Sequence, residues 1–360
     1  MEINQFIPSL TPGDAASNDA LAIRAILRKN GFKSNIYAKF IHPRMLWYAR
    51  PYFLYRGNRQ NISIYHFAIG GLQFSDFILK LPDIKILRYH NITPPEYFEK
   101  YDSKLSFICR KGLIELKGFK RHFVLGMGDS SFNCLAMEHE GIGKTEVLPV
   151  LIDFSKYEGY DKELNRKLGG SDSKKIIFVG RIAPNKKQED LIRVFDHYHR
   201  KFNPNSTLYL IGQKQIAPYV HELEELVTTL GLSDTVVFTG KVSDKEVNTY
   251  YRNADVFVCL SEHEGFCVPL VESMFFNIPI IAYESSAIKD TLGEAGILLQ
   301  EKDAESIAKL IVRVTEDSSF REEIIKRQKK RLPVFQSDCI EQKLMKIIHE
   351  IQDSKYNTPG

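Results

Sequence analysis

Two glutamates, Glu264 and Glu272, bracket the start of a helix in the stretch Asp255–Tyr283 (DVFVCLSEHEGFCVPLVESMFFNIPIIAY). Glu264 falls in a polar loop, Ser261–Cys267, that follows the apolar strand Asp255–Leu260. Glu272 falls about one turn inside the helix, which opens near Pro269 because a first-turn proline lacks only an N–H that has no partner there. Asn277 and Pro279 close it ahead of a second apolar strand ending at Tyr283. A helix N-terminus at the end of a parallel strand offers free N–H groups and partial positive charge, which suits a phosphate. Carboxylates beside it would repel that phosphate but accept well from neutral hydroxyls, as in a ribose or a hexose. A sugar nucleotide combines all three groups. The competing reading makes Glu264 a helix cap and Glu272 a solvated surface charge.

A second group of residues is cationic. Arg181 and Lys186 follow the predicted strand Lys175–Val179, where they could neutralise a diphosphate as negative charge builds on it in a leaving group. A lysine at a helix start opposes the helix dipole, so a bound anion explains it better than surface charge alone. No D-x-D motif of the metal-dependent type occurs, and no metal site is expected. His90 opens the loop His90–Glu96 at the end of the predicted strand Lys85–Tyr89, on the sheet edge where open parallel sheets bind ligands. There it could donate to a hydroxyl or a carbonyl oxygen. His66, one strand earlier, is a weaker candidate. Near the N-terminus, Gly13 and Asp14 sit in the loop Pro8–Ser17, which matches neither a Walker loop nor G-x-G-x-x-G; both also read as ordinary turn residues. Cys267 has no His–Asp partner set and is not read as a nucleophile.

The elements that must position these residues alternate strand and helix. In the first half the sequence predicts a strand over 2–7, a helix Asn18–Lys29, strands Ser34–Ala38 and Asn61–His66, a helix Phe74–Leu81 and the strand Lys85–Tyr89. One long helix Glu96–Gly118 follows, then a strand Arg121–Leu125, a helix Ser130–Glu140 and a strand Glu146–Pro149. Residues 155–173 are charged and end in Gly and Ser, as an exposed linker would. In the second half strands are predicted at Lys175–Val179, Thr207–Ile211, Val236–Thr239, Val256–Leu260, Ile280–Tyr283 and Ile297–Leu299, with helices between. Two amphipathic helices broken at Leu332-Pro333 end the chain, and Asn357–Gly360 is expected to fray.

The 360 residues suffice for two ordinary domains, with 43% apolar and 26% charged residues as in soluble globular proteins. The five cysteines are scattered without a C-x-x-C pair, which argues against a disulfide framework or a zinc site. With no leader-like start and no long apolar run, the expected location is cytoplasmic or peripheral on the cytoplasmic membrane face. Net charge is +4, yet Lys33–Arg121 alone holds 16 basic and 6 acidic residues. That asymmetry points to an anionic partner of the first half or to a solvated basic face. Within it, His42–Arg59 mixes Trp47, Tyr48, Tyr52, Phe53 and Tyr55 with Arg44, Arg50, Arg56 and Arg59. This suits a membrane surface or lipid phosphate; packing of the aromatics into the domain is the alternative. No nucleic-acid motif accompanies the charge, and nucleic acid is not an expected partner.

Several segments resemble retaining GT-B glycosyltransferases, specifically glycosyltransferase family 4 (glycosyl transferases group 1). Glu264-Gly-Phe-Cys-Val-Pro-Leu-Val-Glu272 is similar to the family's E-x7-E element, and Phe178–Lys187 to its V-G-R-x-x-P-x-K segment. Phe238–Asp244 resembles its F-x-G-x-V-S-D segment, and Ala287–Gly296 its next loop. Val147–Phe154 resembles the crossing between domains. The resemblance implies an α/β, GT-B fold: two Rossmann-like, doubly wound domains facing across a cleft. The expected divisions are an acceptor-side domain 1–165, a nucleotide-sugar domain 174–335, and a last helix 336–356 packing back on the first domain. It further implies transfer of a hexose from a nucleoside-diphosphate sugar, by family habit GDP-mannose or a UDP-hexose, to an acceptor hydroxyl with retention. The implied acceptor is a glycan or a lipid-linked oligosaccharide, and no cofactor is implied. Carried over by position, Glu264 binds hydroxyls of the transferred sugar, helped by the backbone of Gly265, Phe266, Cys267 and Val268. Glu272 binds the ribose, Arg181 and Lys186 the diphosphate, Gly13 faces the donor phosphates and acceptor, and His90 contacts or orients the donor. The chain departs from the family at Cys267, where glycine is common, and at Lys187, where glycine is frequent. A sugar-nucleotide epimerase, a GT-B phosphorylase and a non-catalytic sugar-nucleotide binder share these expectations.

Overall fold

The computed structural model describes residues 1–71 and 73–356; the tail 357–360, expected to fray, lies outside the described residues. The chain forms two compact units. One comprises Met1–Pro95, Lys104–Ile152 and the chain from Val334 on; the other comprises Glu96–Ser103 and Asp153–Pro333.

The first unit holds β1 (Ile3–Leu10), α1 (Ala15–Lys29), β2 (Ile36–Ile41), β3 (Ala49–Pro51), β4 (Ile62–Phe67), α2 (Gln73–Lys80) and β5 (Ile84–Tyr89). The predicted single helix after β5 is broken into α3 (Glu96–Glu99), which groups with the second unit, and α4 (Ser103–Gly118). β6 (Leu125–Gly128), α5 (Ser131–His139) and β7 (Thr145–Val147) follow. The seven strands form one parallel sheet, ordered β3-β2-β1-β4-β5-β6-β7.

Two local departures from the sequence reading have clear causes. β1 runs on through Pro8 to Leu10. Beyond Phe6 it pairs only with β2, so the missing proline N–H faces no β4 partner. The strand expected over Arg121–Leu125 lies instead at Leu125–Gly128, after a turn in which Arg121 has φ 64°. Strand propensity favours His-Phe-Val-Leu over Leu-Gly-Met-Gly. Packing decides otherwise: a Cβ on Gly126 would lie 2.7 Å from the Met137 sulfur of α5, so only glycine lets that helix approach.

The second unit carries α6 (Lys162–Gly169), β8 (Lys174–Val179), α7 (Gln188–Lys201), β9 (Ser206–Ile211), α8 (Ala217–Thr229) and β10 (Val236–Gly240). Then come α9 (Asp244–Asn253), β11 (Val256–Cys259), α10 (Val268–Phe275), β12 (Ile280–Tyr283), α11 (Ile288–Leu292), β13 (Ile297–Leu299), α12 (Ala304–Glu316) and α13 (Ser318–Arg331). Its six strands are parallel in the order β10-β9-β8-β11-β12-β13, and the order reverses between β8 and β11, the usual ligand position in such sheets. Residues 155–173 are no linker. α6 docks on α9 through Asn253–Asn165 (2.9 Å) and Asp161–Thr249 (2.8 Å), and Asn248 donates to the carbonyls of Lys156 and Gly159 at 2.8 Å. The boundary between units therefore falls at Ile152/Asp153 rather than in the charged segment.

The last helix, α14 (Ser337–Tyr356), joins the first unit. Ile340, Leu344, Ile347 and Ile348 are buried with Ile3, Ile23, Leu27, Ile64 and Ile86 in one apolar cluster. Burying each such side chain contributes about 1.5–3 kcal/mol, so this helix is a structural part of that unit.

Candidate active site

The second unit assembles its polar groups at the carboxyl ends of β8 and β11. Fully buried β11 delivers the chain into Ser261–Cys267. The loop is held at several points: Glu264 N–H donates to Ser286 Oγ (2.7 Å), Asn185 donates its side-chain amide to the His263 carbonyl (2.9 Å), Glu262 N–H donates to the Asn185 carbonyl (2.9 Å) and the buried Thr291 hydroxyl donates to the Phe266 carbonyl (2.5 Å). The segment after β8 and the segment after β11 are therefore tied together by backbone, which fixes where Lys186 and Glu264 can reach.

They reach each other. Lys186 Nζ lies 2.5 Å from Glu264 Oε2, with 13% and 9% of their side chains exposed. The sequence reading gave Lys186 a phosphate and Glu264 a sugar; the structure joins the two as one ion pair. A pair so covered from water loses about 3–5 kcal/mol if one partner alone is removed. Arg181 is exposed, and among the described residues its guanidinium reaches Gln215 Oε1 at 3.5 Å. Its strand end is set by a close approach: a Cβ on Gly212, at the end of β9, would fall 2.0 Å from the Gly180 carbonyl oxygen.

α10 begins one residue ahead of Pro269, with Cys267 preceding it at φ 69°, ψ 68°. That left-handed conformation costs an L-residue roughly 1–2 kcal/mol, which glycine avoids. The backbone N–H of Cys267 is thus presented from a geometry that glycine adopts freely. The Cys267 thiol is pushed up well above the ordinary cysteine range by its contact with Cys259, by burial and by Glu264, so it is held as a neutral thiol rather than a thiolate.

Glu272, half-buried on α10, accepts from two hydroxyls: Tyr157 at 3.0 Å on Oε1 and Tyr251 at 2.7 Å on Oε2. Burial raises its pKa, and the two tyrosine hydroxyls only partly offset that. It is not the solvated charge of the competing sequence reading. With about four lone-pair sites on a carboxylate, two remain for other hydroxyls. Tyr157 and Tyr251 were not singled out from the sequence. Their aromatic contacts with Phe275 and Phe276 at the end of α10 carry no short motif that would have marked them.

In the first unit, Gly13 has φ +79° and no atom within 4 Å of where a Cβ would stand, so it opens the β1–α1 turn without being crowded. Asp14 caps α1, accepting from the N–H and the hydroxyl of Ser17, both at 2.9 Å; its turn role accounts for it. His90 sits in a buried network. Its Nδ1 is 3.1 Å from Asp129 Oδ2 and its Nε2 is 2.9 Å from His66 Nδ1. His66 Nε2 is 2.8 Å from Gln5 Oε1. Arg88, fully buried, contacts Asp19 (2.9 and 3.3 Å), Asp129 (2.7 Å) and the Leu148 carbonyl (2.6 Å). Burial pushes the Asp19 carboxyl up, but Arg88, His90 and His66 outweigh it and hold it down to about 2. Both ring nitrogens of His90 thus have protein partners. His66, the weaker candidate, is the residue that holds it.

Two clusters among the described residues bring ligating atoms within 4.8 Å of one another: Asp19 with His66 and His90, and Cys259 with Glu264 and Cys267. In the first, both Asp19 oxygens meet Arg88 and the imidazoles bond each other; in the second, Lys186 neutralises Glu264 and the Cys259 thiol donates to Ser261 at 3.3 Å. These donor sets are engaged within the protein.

Residues 161–331 match the family model described as glycosyl transferases group 1. That span covers nearly all of the second unit, and this part of the chain is similar to that family. Among curated proteins, the chain is 27% identical over 286 residues to the capsular polysaccharide biosynthesis glycosyltransferase CapM of Staphylococcus aureus, covering 78% of this chain and 70% of CapM. It is 31% identical over 176 residues to an uncharacterised glycosyltransferase of Methanocaldococcus jannaschii, covering 48% of this chain and 44% of that one. It is 29% identical over 184 residues to an N-acetylgalactosaminyltransferase of Campylobacter jejuni named for a PP-undecaprenol-linked glycan, covering 50% and 49%. The aligned part thus spans about half the length of two of these three relatives. Among solved structures, HepE of Anabaena in complex with UDP-glucose superposes with a TM-score of 0.76 at 18% identity over 97% of this chain and 100% of that one. The chain has the GT-B fold of these glycosyltransferases, two Rossmann-like units of parallel sheet and helices.

Proposed function

We propose that this chain is a retaining, metal-independent hexosyltransferase that takes its sugar from a nucleoside-diphosphate donor, GDP-mannose or a UDP-hexose. The observation that carries the reading is the contact of Lys186 with Glu264 at the carboxyl edge of the β8–β11 sheet, with Glu272 on the helix that the same loop opens. Glu264 accepts from hydroxyls of the transferred hexose, and Glu272, oriented by Tyr157 and Tyr251, from the ribose. Lys186 stands between carboxylate and diphosphate. Arg181, exposed and weakly held, has the freedom to close on the phosphates. As the anomeric carbon–phosphate oxygen bond breaks, the added charge on the diphosphate falls against these cations and the first N–H groups of α10. The acceptor oxygen bonds the anomeric carbon on the same face, and its proton passes to the departing phosphate oxygen, so no protein nucleophile is needed. The cations take the place a divalent ion would fill.

The acceptor we propose is a lipid-linked glycan met at a membrane surface. Lys33–Arg59 carries six basic and no acidic side chains. There Trp47 is 95% exposed and Phe40, Leu46, Phe53 and Leu54 are each about 60% exposed, whereas Tyr55 is packed on Phe6 and Tyr37. The aromatic stretch thus divides into a packed and an exposed half, and the exposed half has the chemistry of an interfacial anchor. No helix among the described residues is long and apolar enough to cross a membrane.

The test is a panel of nucleoside-diphosphate sugars scored by released nucleotide in the presence of glycan-lipid acceptors and a chelator. One donor should be turned over, and Glu264→Ala should lower kcat by about 100- to 1,000-fold. Wild-type turnover by that variant, or strict dependence on added metal, would refute the assignment. For the surface, Trp47→Ser with Phe53→Ser should abolish sedimentation with anionic vesicles; unchanged sedimentation rejects the anchor.

A further inference from the structure

The histidine pair of the first unit can be counted for protons. Four ring nitrogens are involved. Gln5 donates its side-chain amide to the Ala20 carbonyl at 3.0 Å, which turns its Oε1 toward His66. A carbonyl oxygen only accepts, so His66 Nε2 must carry a proton. At the other end, His90 Nδ1 faces Asp129 Oδ2, while Asp129 Oδ1 meets the Arg88 guanidinium at 2.7 Å. A carboxylate also only accepts, so His90 Nδ1 must carry a proton. Between the rings, which lie within 11° of coplanar, one proton is shared by His66 Nδ1 and His90 Nε2 at 2.9 Å. Two neutral imidazoles hold two protons; this chain of contacts needs three.

We infer that the His66–His90 pair holds three protons and that its positive charge resides on His90, with His66 and Asp129 acting as positioning residues. The charge belongs on His90 because Asp129 touches that ring, whereas His66 is fully buried beside a neutral amide. Burial, with His90 next to it, pushes His66 well below the ordinary histidine value. The charged groups facing the pair are Asp19 from α1, with Oδ2 4.0 Å from His66 Nδ1 and 3.9 Å from His90 Nε2, Arg88 from β5, and Asp129 after β6. Two carboxylates, one guanidinium and one imidazolium leave this buried cluster neutral. Removing the third proton would leave it with an unbalanced negative charge, a costly state in a dry interior.

For the sugar transfer proposed above, on which this part rests, the count removes His90 as a base or as a hydrogen-bond donor to substrate. Both of its N–H groups are directed into the protein. What it supplies is a positive charge at the carboxyl edge of the first sheet that Asp19 and Asp129, beside Arg88, balance within the cluster.

The count is tested on the full wild-type chain carrying nitrogen-labelled histidine, with proton–nitrogen correlation spectra at about pH 7.5, one unit above the ordinary histidine value. His90 should show protons on both ring nitrogens and His66 on Nε2 only. A bare Nδ1 on His90, meaning that Asp129 holds the proton, or two protons on His66, would overturn the inference. In Asp129→Asn, which replaces the accepting carboxylate, the pair should fall to two protons, with Asp129→Glu restoring the third. A third proton kept in Asp129→Asn would overturn the count. If no donor is turned over at all, the transfer reading fails, while the spectrum of the wild-type chain still decides the proton count.

Discussion

The two sheets of this chain treat charge in opposite ways at their carboxyl edges. In the second unit, Lys186, Glu264 and Glu272 stand on two segments that follow β8 and β11, and Glu272 accepts from only two hydroxyls with lone-pair sites left over. In the first, Asp19, Gln5, His66, Arg88, His90 and Asp129 come from separate points in the chain and saturate one another. The first arrangement suits a site that must still bind something. The second suits a fixed scaffold whose charges cancel, and it shows that a cluster of titratable side chains at a ligand edge is not by itself a binding site.

Breaking the scaffold should cost more than loosening the site. Arg88→Leu leaves Asp19 and Asp129 without their shared cation. Chemical denaturation should register a loss of about 3–5 kcal/mol, and a loss under about 1 kcal/mol would show that the cluster is not as dry as it looks. Acid sharpens the same contrast. Asp19 is held down to about 2 from 3.8, so its stabilisation, about 2 kcal/mol, is present above about pH 4 and is lost as pH falls toward 2. His66 is depressed in the fold, so the unfolded chain takes up a proton that the folded one refuses as pH drops below about 6.5. Both weaken the first unit in acid. Glu272, raised by burial, has the reverse sign: its contribution weakens as pH rises. Proteolysis followed across pH should therefore open the first unit before the second on acidification, and the reverse order would contradict these assignments. The smallest effect concerns the hold on Glu272. Tyr251→Phe removes one of its two hydroxyl donors, and donor KM should rise about fivefold, equivalent to roughly 1 kcal/mol, with kcat little changed.

What the sequence made legible follows the same division. Glu264, Glu272, Arg181 and Lys186 lie in short contiguous patterns attached to apolar strands, and both the fold and the strand–loop–helix around them were readable from those patterns. The Lys186–Glu264 contact was not, because it depends on Asn185 tying two loops across 77 positions of chain, from Asn185 to Glu262. His90 was readable as a residue at a strand end, yet its partners were not, since Gln5, His66 and Asp129 are brought to it only by the strand order β1-β4-β5-β6. The strand at Leu125–Gly128 was hidden because its glycines serve helix approach rather than strand propensity. Residues 155–173 read as a linker by composition, whereas their hydrogen bonds to α9 make them part of the second unit.

The central claim is that one activated sugar is gripped by the second unit at Lys186, Glu264 and Glu272. A crystal structure of the chain soaked with the donor that turns over tests it most directly. The account predicts diphosphate oxygens within hydrogen-bond reach of Lys186 and Arg181, the hexose on Glu264 and the ribose on Glu272. A donor lodged elsewhere, or a ribose that leaves Glu272 bonded only to its tyrosines, would contradict it.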